Sequence, residues 1–259
     1  MTELNVRFYP SQPKQVYLFG TCLADVLFPD SGIDAIEFLE RQGIEVIYPD
    51  GQTCCGQPAY NSGYQDEAKQ VALKQIEQFP LDIPIVVISG SCGGMMRHHY
   101  LSLLKEEPQI QGFCDRIFEF TEFLVHVLKI ELKDQGPKEQ VALHTSCAAR
   151  REMGVHLTGR KLIEQLDNVE LIVHNKESEC CGFGGTFAVK HDDISAAMVA
   201  DKTANLLDTG VKQFISADWG CMMNINGSLE YQNKPLAGKH IASYLLERTS
   251  ESNPSNKGN

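Results

Sequence analysis

"QVYLFGTC" at residues 15–22 returns as "QVALHTSC" at residues 140–147, and in both places a short β-prone run leads into a cysteine. Eight of the nine cysteines follow the same repeat. Each half has a single cysteine, an adjacent pair and another single one: Cys22, Cys54, Cys55 and Cys92, then Cys147, Cys180, Cys181 and Cys221. The steps to the pair are 32 and 33 residues, and the steps from the pair to the last cysteine are 37 and 40 residues. This recurrence predicts an internal duplication.

The segments around the cysteines predict the fold of each unit. "GIEVIYPD" and "VELIVHN" predict strands that end before the pairs, whereas "IPIVVISGSC" and "KQFISADWGC" predict strands that end at the last cysteine of each half. Amphipathic helices lie between them, in "GIDAIEFLERQG", "DEAKQVALKQIEQF" and "DISAAMVADKTANLLDTG". This alternation predicts an α/β fold of two duplicated Rossmann-like βαβ units, with parallel sheets and the cysteines at the C-terminal strand ends.

The boundary between the units is predicted in the charged stretch "KIELKDQGPKEQ", which carries Gly136 and Pro137. We therefore expect a first unit at residues 1–136 and a second at residues 137–248. A helix is expected to close each unit, in "TEFLVHVLKIEL" and in "HIASYLLER". The polar ending at residues 249–259 predicts a disordered tail.

The strand-end position of the cysteines indicates metal binding. In an open parallel sheet, ligands bind outside the carboxyl ends of the strands, so each half is expected to gather its four sulfurs there, giving two separate sites. Four thiolates with few competing ligands select iron–sulfur clusters or zinc. The adjacent pair favours a cluster, because neighbouring side chains start on opposite sides of the backbone and a cluster offers them separate iron atoms.

Glycines accompany the cysteines and carry a further prediction. Gly56 and Gly182 directly follow the pairs, where they permit backbone dihedral angles that other residues avoid. More glycines, in "CGFGGTF" and "SCGGMM", are expected to let backbone N–H groups approach the cluster sulfurs. "GFGG" lacks the lysine and hydroxyl residue of a Walker phosphate loop.

Two other candidates are interpreted as structural. Cys114 has no counterpart in the second half, so we expect a small buried residue rather than a ligand. "RHHY" at residues 97–100 looks like a metal site, but adjacent side chains diverge on a helix, which favours surface or hydrogen-bonded histidines. No C-x-x-C is present, which disfavours a thioredoxin-type site, and a disulfide within either adjacent pair would be strained.

The composition narrows the function classes. A net charge of −11 disfavours nucleic acid as a partner, because phosphate binding needs a basic surface. The start has no apolar signal core and the longest apolar run is far too short to insert into a membrane, so the cytoplasm is the expected location. Thiols stay reduced there, and the cysteines are therefore expected to be metal ligands or redox groups.

The repeated pattern resembles the cysteine-rich CCG domain of heterodisulfide reductase subunits and lactate-utilisation proteins. "CCGQPAYNSGY", "CCGFGGTFAVK" and "CMMNINGSLE" resemble the segments of the LutA/YkgE family most closely. The resemblance implies oxidation of L-lactate to pyruvate together with two partner proteins, one with a ferredoxin-like domain. It also implies that the eight repeated cysteines bind one or two iron–sulfur clusters, of the 4Fe–4S type, with zinc as an option at one site.

The chain departs from the heterodisulfide reductase pattern at the fifth position of each set. In the heterodisulfide reductase form, the last cysteine of each set belongs to a C-x-x-C, which supplies a fifth thiolate. This chain has Met95 and Asn224 at the corresponding positions. A five-thiolate cluster is therefore not expected, and four-thiolate clusters remain.

Three functional interpretations follow from the sequence. The first is an iron–sulfur subunit of an L-lactate-oxidising complex, an oxidoreductase subunit that is inactive alone, because no flavin or nicotinamide motif is present. The second is a non-redox scaffold that zinc or a cluster stabilises. The third is a thiol/disulfide redox subunit like that of heterodisulfide reductase.

Overall fold

The computed structural model describes residues 7–250 and contains two parallel four-stranded sheets. The first comprises β1 Gln15–Phe19, β2 Glu45–Ile47, β3 Ile85–Val87 and β4 Ile117–Glu119. The second comprises β5 Glu139–His144, β6 Val169–Ile172, β7 Gln213–Ser216 and β8 Ala237–His240. The strand orders β2-β1-β3-β4 and β6-β5-β7-β8 are the same arrangement repeated. The prediction of a duplicated α/β fold with parallel sheets is therefore confirmed.

The last strand of each sheet was not predicted from the sequence. β4 has only three residues, and β8 consists of "AGKH", which contains no β-branched residue. Each pairs in parallel with the strand before it, β4 with β3 and β8 with β7. Pairing with an already formed neighbour gives such short segments a regular conformation that their own residues do not favour.

Helices connect the strands as a parallel sheet requires. The first half has α1 Cys22–Leu27, α2 Pro29–Arg41, α3 Gln57–Asn61, α4 Gln65–Ile76, α5 Gly90–Gly94, α6 Tyr100–Leu103, α7 Ile110–Asp115 and α8 Phe120–Glu122. The second half has α9 Val155–Ile163, α10 Phe187–Lys190, α11 Asp192–Leu207, α12 Trp219–Tyr231 and α13 Ile241–Thr249. The described part of the chain also has three π-helical segments, at Met95–His99, Phe123–Leu128 and Ala149–Met153. The three amphipathic segments predicted as helices correspond to α2, α4 and α11, and the helix predicted to close the second unit corresponds to α13.

The helix that closes the first half is shorter than predicted. Helical structure ends at Leu128, because Lys129 adopts a left-handed conformation with φ 53°. The rest of the predicted helix, to Leu132, has no regular structure. Leu132 instead donates its backbone N–H to the side chain of Gln165 at 3.0 Å, so this end of the connection contacts the second half.

The two halves exchange their closing helices. α8 and the π-helical segment after it pack against α9 of the second half, and α13 packs against α2 of the first. A hydroxyl pair crosses each contact: Thr121 with Thr158 at 2.6 Å, and Ser243 with Ser31 at 3.3 Å. Neither half therefore covers its own core completely, although each has its own sheet.

The connection between the halves is held by a buried ion-pair cluster. Arg248 near the end of α13 pairs with Asp134 at 2.6 Å and with Glu139 at 2.9 Å. Of the predicted tail, residues 251–259 lie outside the described residues, while Thr249 is the last residue of α13. Within residues 7–250, none of the helices combines the length and apolar character needed to cross a bilayer.

Candidate metal centre

All eight repeated cysteines line one cavity of about 190 Å³ between the two halves. They are Cys22, Cys54, Cys55, Cys92, Cys147, Cys180, Cys181 and Cys221. The prediction that each half gathers its four sulfurs at the carboxyl ends of its strands agrees with this arrangement. Both sets of four open into the same cavity, because the two sheet edges face each other. The sequence did not predict this shared cavity, and one site for each set of four stays a prediction.

The fold delivers the cysteines from equivalent elements in both halves. In the first half, Cys22 begins α1 directly after β1, and Cys92 lies in α5 after β3. In the second, Cys147 follows β5 and Cys221 lies in the first turn of α12 after β7. The adjacent pairs occupy the loops after the edge strands β2 and β6. Because parallel strands end at the same edge, three segments per half converge there.

A tight turn shapes each adjacent pair. Gly56 and Gly182 have φ values of 83° and 88°, which non-glycine residues avoid. In these turns the backbone N–H of Gly56 donates to Sγ of Cys54 at 3.4 Å, and that of Gly182 donates to Sγ of Cys180 at 3.3 Å. As predicted, the glycine after each pair adopts a left-handed conformation. The contact of its N–H with a cysteine sulfur was not predicted.

Each set of four thiols is polarised in the same way. Interaction with the Cys22 thiol, then with the Cys55 thiol and the Gly56 N–H, lowers the pKa of Cys54 well below its usual range. The same interaction raises the pKa of Cys22. In the second half, interaction with the Cys147 thiol is the main cause that lowers the pKa of Cys180. In each half the neighbours of Cys54 or Cys180 therefore favour loss of its proton, and the thiolate is the form that binds metals.

Hydrogen bonds across the halves hold the third cysteine-bearing segment of each sheet. The backbone N–H of Gly90 donates to the carbonyl of Ala217 at 3.0 Å, and that of Ser91 donates to a carboxylate oxygen of Asp218 at 2.9 Å. Asp218 is buried and also caps the N-terminus of α12, where its side chain accepts from the N–H of Cys221 at 3.4 Å. One carboxylate therefore positions cysteine segments of both halves.

The glycines of "SCGGMM" have a packing role that the sequence did not predict. A Cβ on Gly94 would lie 1.9 Å from a carboxylate oxygen of Glu152, and one on Gly93 would lie 3.1 Å from the side chain of Met153. α5 thus packs closely on the π-helical segment Ala149–Met153 of the other half. These glycines permit the two halves to approach, and the expectation that they bring N–H groups to cluster sulfurs stays a prediction.

An aromatic stack crosses between the halves beside the cavity. Trp219 lies between Phe28, with ring centroids 4.3 Å apart, and His240, with centroids 4.9 Å apart. Nε2 of His240 also pairs with the carbonyl of Ile88 at 2.8 Å. Trp219 lines the cavity, and the stack supports it from both halves, because Phe28 lies between α1 and α2 of the first half and Trp219 begins α12 of the second.

His144 was not predicted from the sequence, although it lies beside the second set. It ends β5, is fully buried, and neither ring nitrogen has a hydrogen-bond partner. A ring nitrogen and the sulfurs of Cys181 and Cys221 all lie within 4.8 Å of one another. Burial lowers the pKa of His144 to about 3, so the ring is neutral at neutral pH. The signal was available in the repeat: "QVYLFGTC" has Phe19 where "QVALHTSC" has His144.

Different side chains anchor the two loops that carry the pairs. The side-chain oxygen of Gln75 in α4 accepts from the backbone N–H of Thr53 at 2.8 Å. At the corresponding place in α11, the ammonium of Lys202 donates to the carbonyls of Lys176 at 2.6 Å and Glu177 at 3.4 Å. Lys202 is buried, so the loop of the second pair has a cation behind it and the loop of the first has a neutral amide.

The remaining sequence candidates lie away from the sulfurs or serve other contacts. Cys114 is buried in α7, and its thiol donates to the carbonyl of Met96 at 3.2 Å. His99 approaches Glu152 at 3.2 Å, and His98 pairs with the Glu152 carbonyl at 3.0 Å, so "RHHY" makes contacts between the halves. At the fifth positions, Met95 is part of the core and the amide of Asn224 donates to the carbonyl of Cys181 at 2.8 Å.

Comparison with known proteins agrees with this duplicated arrangement. The model of a family described as a cysteine-rich domain, CCG, matches residues 16–97 and again residues 141–226. Lactate utilization protein A of Halalkalibacterium halodurans is 43% identical over 243 residues, which cover 92% of this chain and 99% of that protein. The chain belongs to the lactate utilization protein A family. Lactate utilization protein A 2 of Bacillus cereus is 40% identical over 241 residues, covering 92% of this chain and all of that protein.

A solved structure shares the fold with this family member. A hypothetical protein from Helicobacter pylori superposes with a TM-score of 0.61 at 14% sequence identity, covering 95% of this chain. The match covers 51% of that longer protein. At this identity the likeness concerns the fold alone, and it extends across both sheets.

Proposed function

We propose that this protein is an iron–sulfur subunit of an L-lactate-oxidising complex and relays electrons through cysteine-bound clusters. The observation that carries the proposal is the convergence of two equivalent sets of four thiols on one cavity. Membership of the lactate utilization protein A family connects the chain with the use of lactate.

The donor set fits iron–sulfur clusters. Four soft thiols in each half match the ligand number of a 4Fe–4S cluster, and each set includes a backbone N–H that reaches a sulfur. The first set that would hold a cluster is Cys22, Cys54, Cys55 and Cys92, and the second is Cys147, Cys180, Cys181 and Cys221. Bound clusters would supply one-electron transfer, and hydrogen bonds to the sulfurs would help to set their potentials.

The lining of the cavity supports a relay rather than a lactate pocket. Among the described residues that line it, none is lysine or arginine, and the one acidic side chain, Asp218, accepts hydrogen bonds from both halves. The cavity walls thus offer no cationic side chain to the carboxylate of lactate. Oxidation of lactate removes two electrons and two protons, so partner proteins must collect electrons or complete the chemistry. We propose two cytoplasmic partners, one with a ferredoxin-like domain.

The cofactor proposal is tested by purification under anaerobic conditions. We expect iron and acid-labile sulfide in equal amounts, with an electron paramagnetic resonance signal on reduction. Purified protein without iron, but with stoichiometric zinc, would contradict the proposal and support a scaffold.

Matched cysteine variants test the role of each half. Cys181→Ser should remove the cluster of the second half and Cys55→Ser that of the first, because an alcohol replaces one thiolate ligand in each. If each set holds a cluster, either variant is expected to lose about half of the iron and sulfide, since the two sets have equivalent ligands. Lactate oxidation by the assembled complex with an artificial acceptor should fall below detection in both. Full activity of a variant that has lost its iron would exclude a relay through that half.

One observation favours a second candidate function, a zinc-stabilised scaffold. His144, Cys181 and Cys221 bring one nitrogen and two sulfurs within the 4.8 Å span that a single ion can bridge. Zinc at this position would join segments that follow β5, β6 and β7 without redox activity. Metal analysis of the Cys55→Ser variant decides between zinc and an iron–sulfur cluster in the second half, because this substitution is expected to remove the metal of the first half.

A further inference from the structure

The imidazole of His144 is buried, and its nitrogens make no hydrogen bond to the described residues. The residue is 1% exposed, and neither ring nitrogen has a hydrogen-bond partner among residues 7–250. A buried polar group left without a partner destabilises the folded state. Folded proteins retain such groups where a ligand or other bound species satisfies them.

The surroundings of His144 indicate a metal as that partner. Its ring nitrogen lies within 4.8 Å of the sulfurs of Cys181 and Cys221, and those sulfurs are likewise within 4.8 Å of each other. In the part of the chain that the structure describes, no other trio of histidine, cysteine or acidic side chains has ligand atoms so close together. Nitrogen and sulfur donors together suit iron and zinc.

Other residues show that an imidazole is not needed here for packing. In the first half the equivalent position is Phe19, which is also fully buried and packs edge-on against Phe79 with centroids 6.2 Å apart. An apolar ring therefore suffices at this point of the fold. By contrast, the buried His240 uses both nitrogens, with Ile88 at 2.8 Å and Ala242 at 3.2 Å.

We propose that His144 is a nitrogen ligand of the metal group held by the second cysteine set. The second centre is then a mixed nitrogen and sulfur site, whereas the first has thiolates alone. The inference rests on the proposed function only in requiring that the second set binds a metal. It also gives that set an additional donor, although Asn224 stands at the position where a fifth thiolate would be.

The nature of the ligand has a consequence for redox behaviour. A neutral imidazole brings less negative charge to a metal than a thiolate does, and replacement of thiolates by imidazoles raises the potential of iron–sulfur centres. The ammonium of Lys202 holds the loop that carries Cys180 and Cys181. A positive charge near a metal centre favours the more negative, reduced state of that centre. If iron–sulfur centres occupy both sets, the second is expected to have the higher potential.

The test uses the iron-loaded full chain, with and without ¹⁵N-labelled histidine. Pulsed electron paramagnetic resonance of the paramagnetic centre should show a strongly coupled nitrogen that changes isotope with the label. Cys55→Ser in the background restricts the signal to the second half. The coupling should disappear in His144→Phe, which copies Phe19, and persist in His174→Phe, since Nδ1 of His174 already pairs with the Asn175 carbonyl at 2.8 Å.

Each outcome supports or overturns the assignment. Iron without a coupled histidine nitrogen overturns it, as does a coupling that survives in His144→Phe or disappears in His174→Phe. If zinc is present instead of iron, the proposed redox function fails, and X-ray absorption at the zinc edge decides this inference: a nitrogen lost in His144→Phe supports it, and an all-sulfur shell overturns it. Absence of metal from the second set overturns both proposals. If His144→Phe does not fold, the labelled unsubstituted chain still decides.

Discussion

The two halves share a topology and a way of presenting cysteines, but they differ directly behind the sulfurs. Phe19 in the first half corresponds to His144 in the second, and Gln75 corresponds to Lys202. The turn after each adjacent pair is the same, with a left-handed glycine in both. The two halves thus share the backbone that delivers four sulfurs. Among the described residues, only the second half has a histidine and a lysine behind its sulfurs, where they can interact with a bound metal group.

The difference changes the electrostatic surroundings of the two sets. Phe19 packs with Phe79 in an apolar cluster behind the first set. Behind the second, burial lowers the pKa of Lys202, while the nearby thiols of Cys181 and Cys221 act in the opposite direction. A buried cation near thiolates stabilises their negative charge. Two sets with the same thiol ligands therefore have different electrostatic environments.

Separating the two halves is expected to have the largest effect on the stability of each half. We propose units at residues 1–136 and 137–248, but α13 covers α2 and the helix at Phe120–Glu122 covers α9. Expressed alone, residues 1–136 and residues 137–259 should each lack a cooperative unfolding transition, because each lacks the helix that covers its core. Coexpressed, they should form one complex that unfolds cooperatively, as followed by circular dichroism and size-exclusion chromatography. A monomeric, cooperatively folded single fragment would show that the exchanged helices are not required.

The repeat in the sequence was sufficient to predict the parallel sheets and the strand-end position of the sulfurs. Both follow from local patterns, since β-prone runs lead into the cysteines and amphipathic helices separate them. β4 and β8 could not be predicted in the same way, because their regular conformation depends on pairing with β3 and β7.

The shared cavity could not be predicted from spacing within either half. The cavity depends on how the two sheets face each other. Contacts such as that of Gly90 with Ala217 determine this arrangement, and they join residues 127 positions apart in the chain. His144 was missed for a different reason. A single histidine in an apolar strand is the pattern of an ordinary core residue, and only its position near Cys181 and Cys221 separates it from one.

The glycines after the cysteine pairs offer a sharper comparison. A Cβ on Gly182 would lie 2.7 Å from the carbonyl of Ser195, whereas a Cβ on Gly56 would be 3.4 Å from its nearest neighbour, the carbonyl of Ala68. Gly56→Ala should lower the free energy of unfolding by about 1–2 kcal/mol through its left-handed conformation. Gly182→Ala should lower it by about 1–3 kcal/mol more, because the backbone must also move. Urea unfolding at matched metal content measures both.

Gly63→Ala provides the control for that pair. Gly63 has φ 84°, and a Cβ at this position would have nothing within 4 Å, so the variant reports the conformational penalty without a clash. We expect it to match Gly56→Ala. Equal destabilisation in all three variants would mean that the close contact at Gly182 relaxes without cost.

The residues that begin the exchanged helices predict opposite effects of pH. Glu119 caps α8, and burial raises its pKa from 4.5 to about 8. His240 caps α13, and burial lowers its pKa from 6.5 to about 4. Between pH 4.5 and 8 native Glu119 keeps a proton that the unfolded chain has lost, so its contribution to stability falls as pH rises. Between pH 6.5 and 4 the unfolded chain binds a proton that native His240 excludes, so that contribution falls as pH drops.

Differences between each variant and the unsubstituted chain isolate these two contributions. Relative to Glu119→Gln, the unsubstituted chain should lose up to about 1.4 kcal/mol of stability per unit of rising pH within the first window. Relative to His240→Asn, it should lose up to about the same amount per unit of falling pH within the second. Denaturant unfolding at several pH values gives both slopes. Parallel pH profiles for a variant and the unsubstituted chain would show that the residue does not titrate as its burial implies.

The smallest effect is expected at the one cysteine without a counterpart. The second half continues from α12 to β8 without an equivalent of α7, the helix that contains Cys114. Burial raises the pKa of this thiol to about 12, so it remains protonated and donates to the Met96 carbonyl. Cys114→Ser retains a donor of similar size and should change the free energy of unfolding by about 1 kcal/mol or less. Iron and sulfide content should equal that of the unsubstituted chain, and a loss of iron as large as that expected for Cys181→Ser would make Cys114 part of the metal centre.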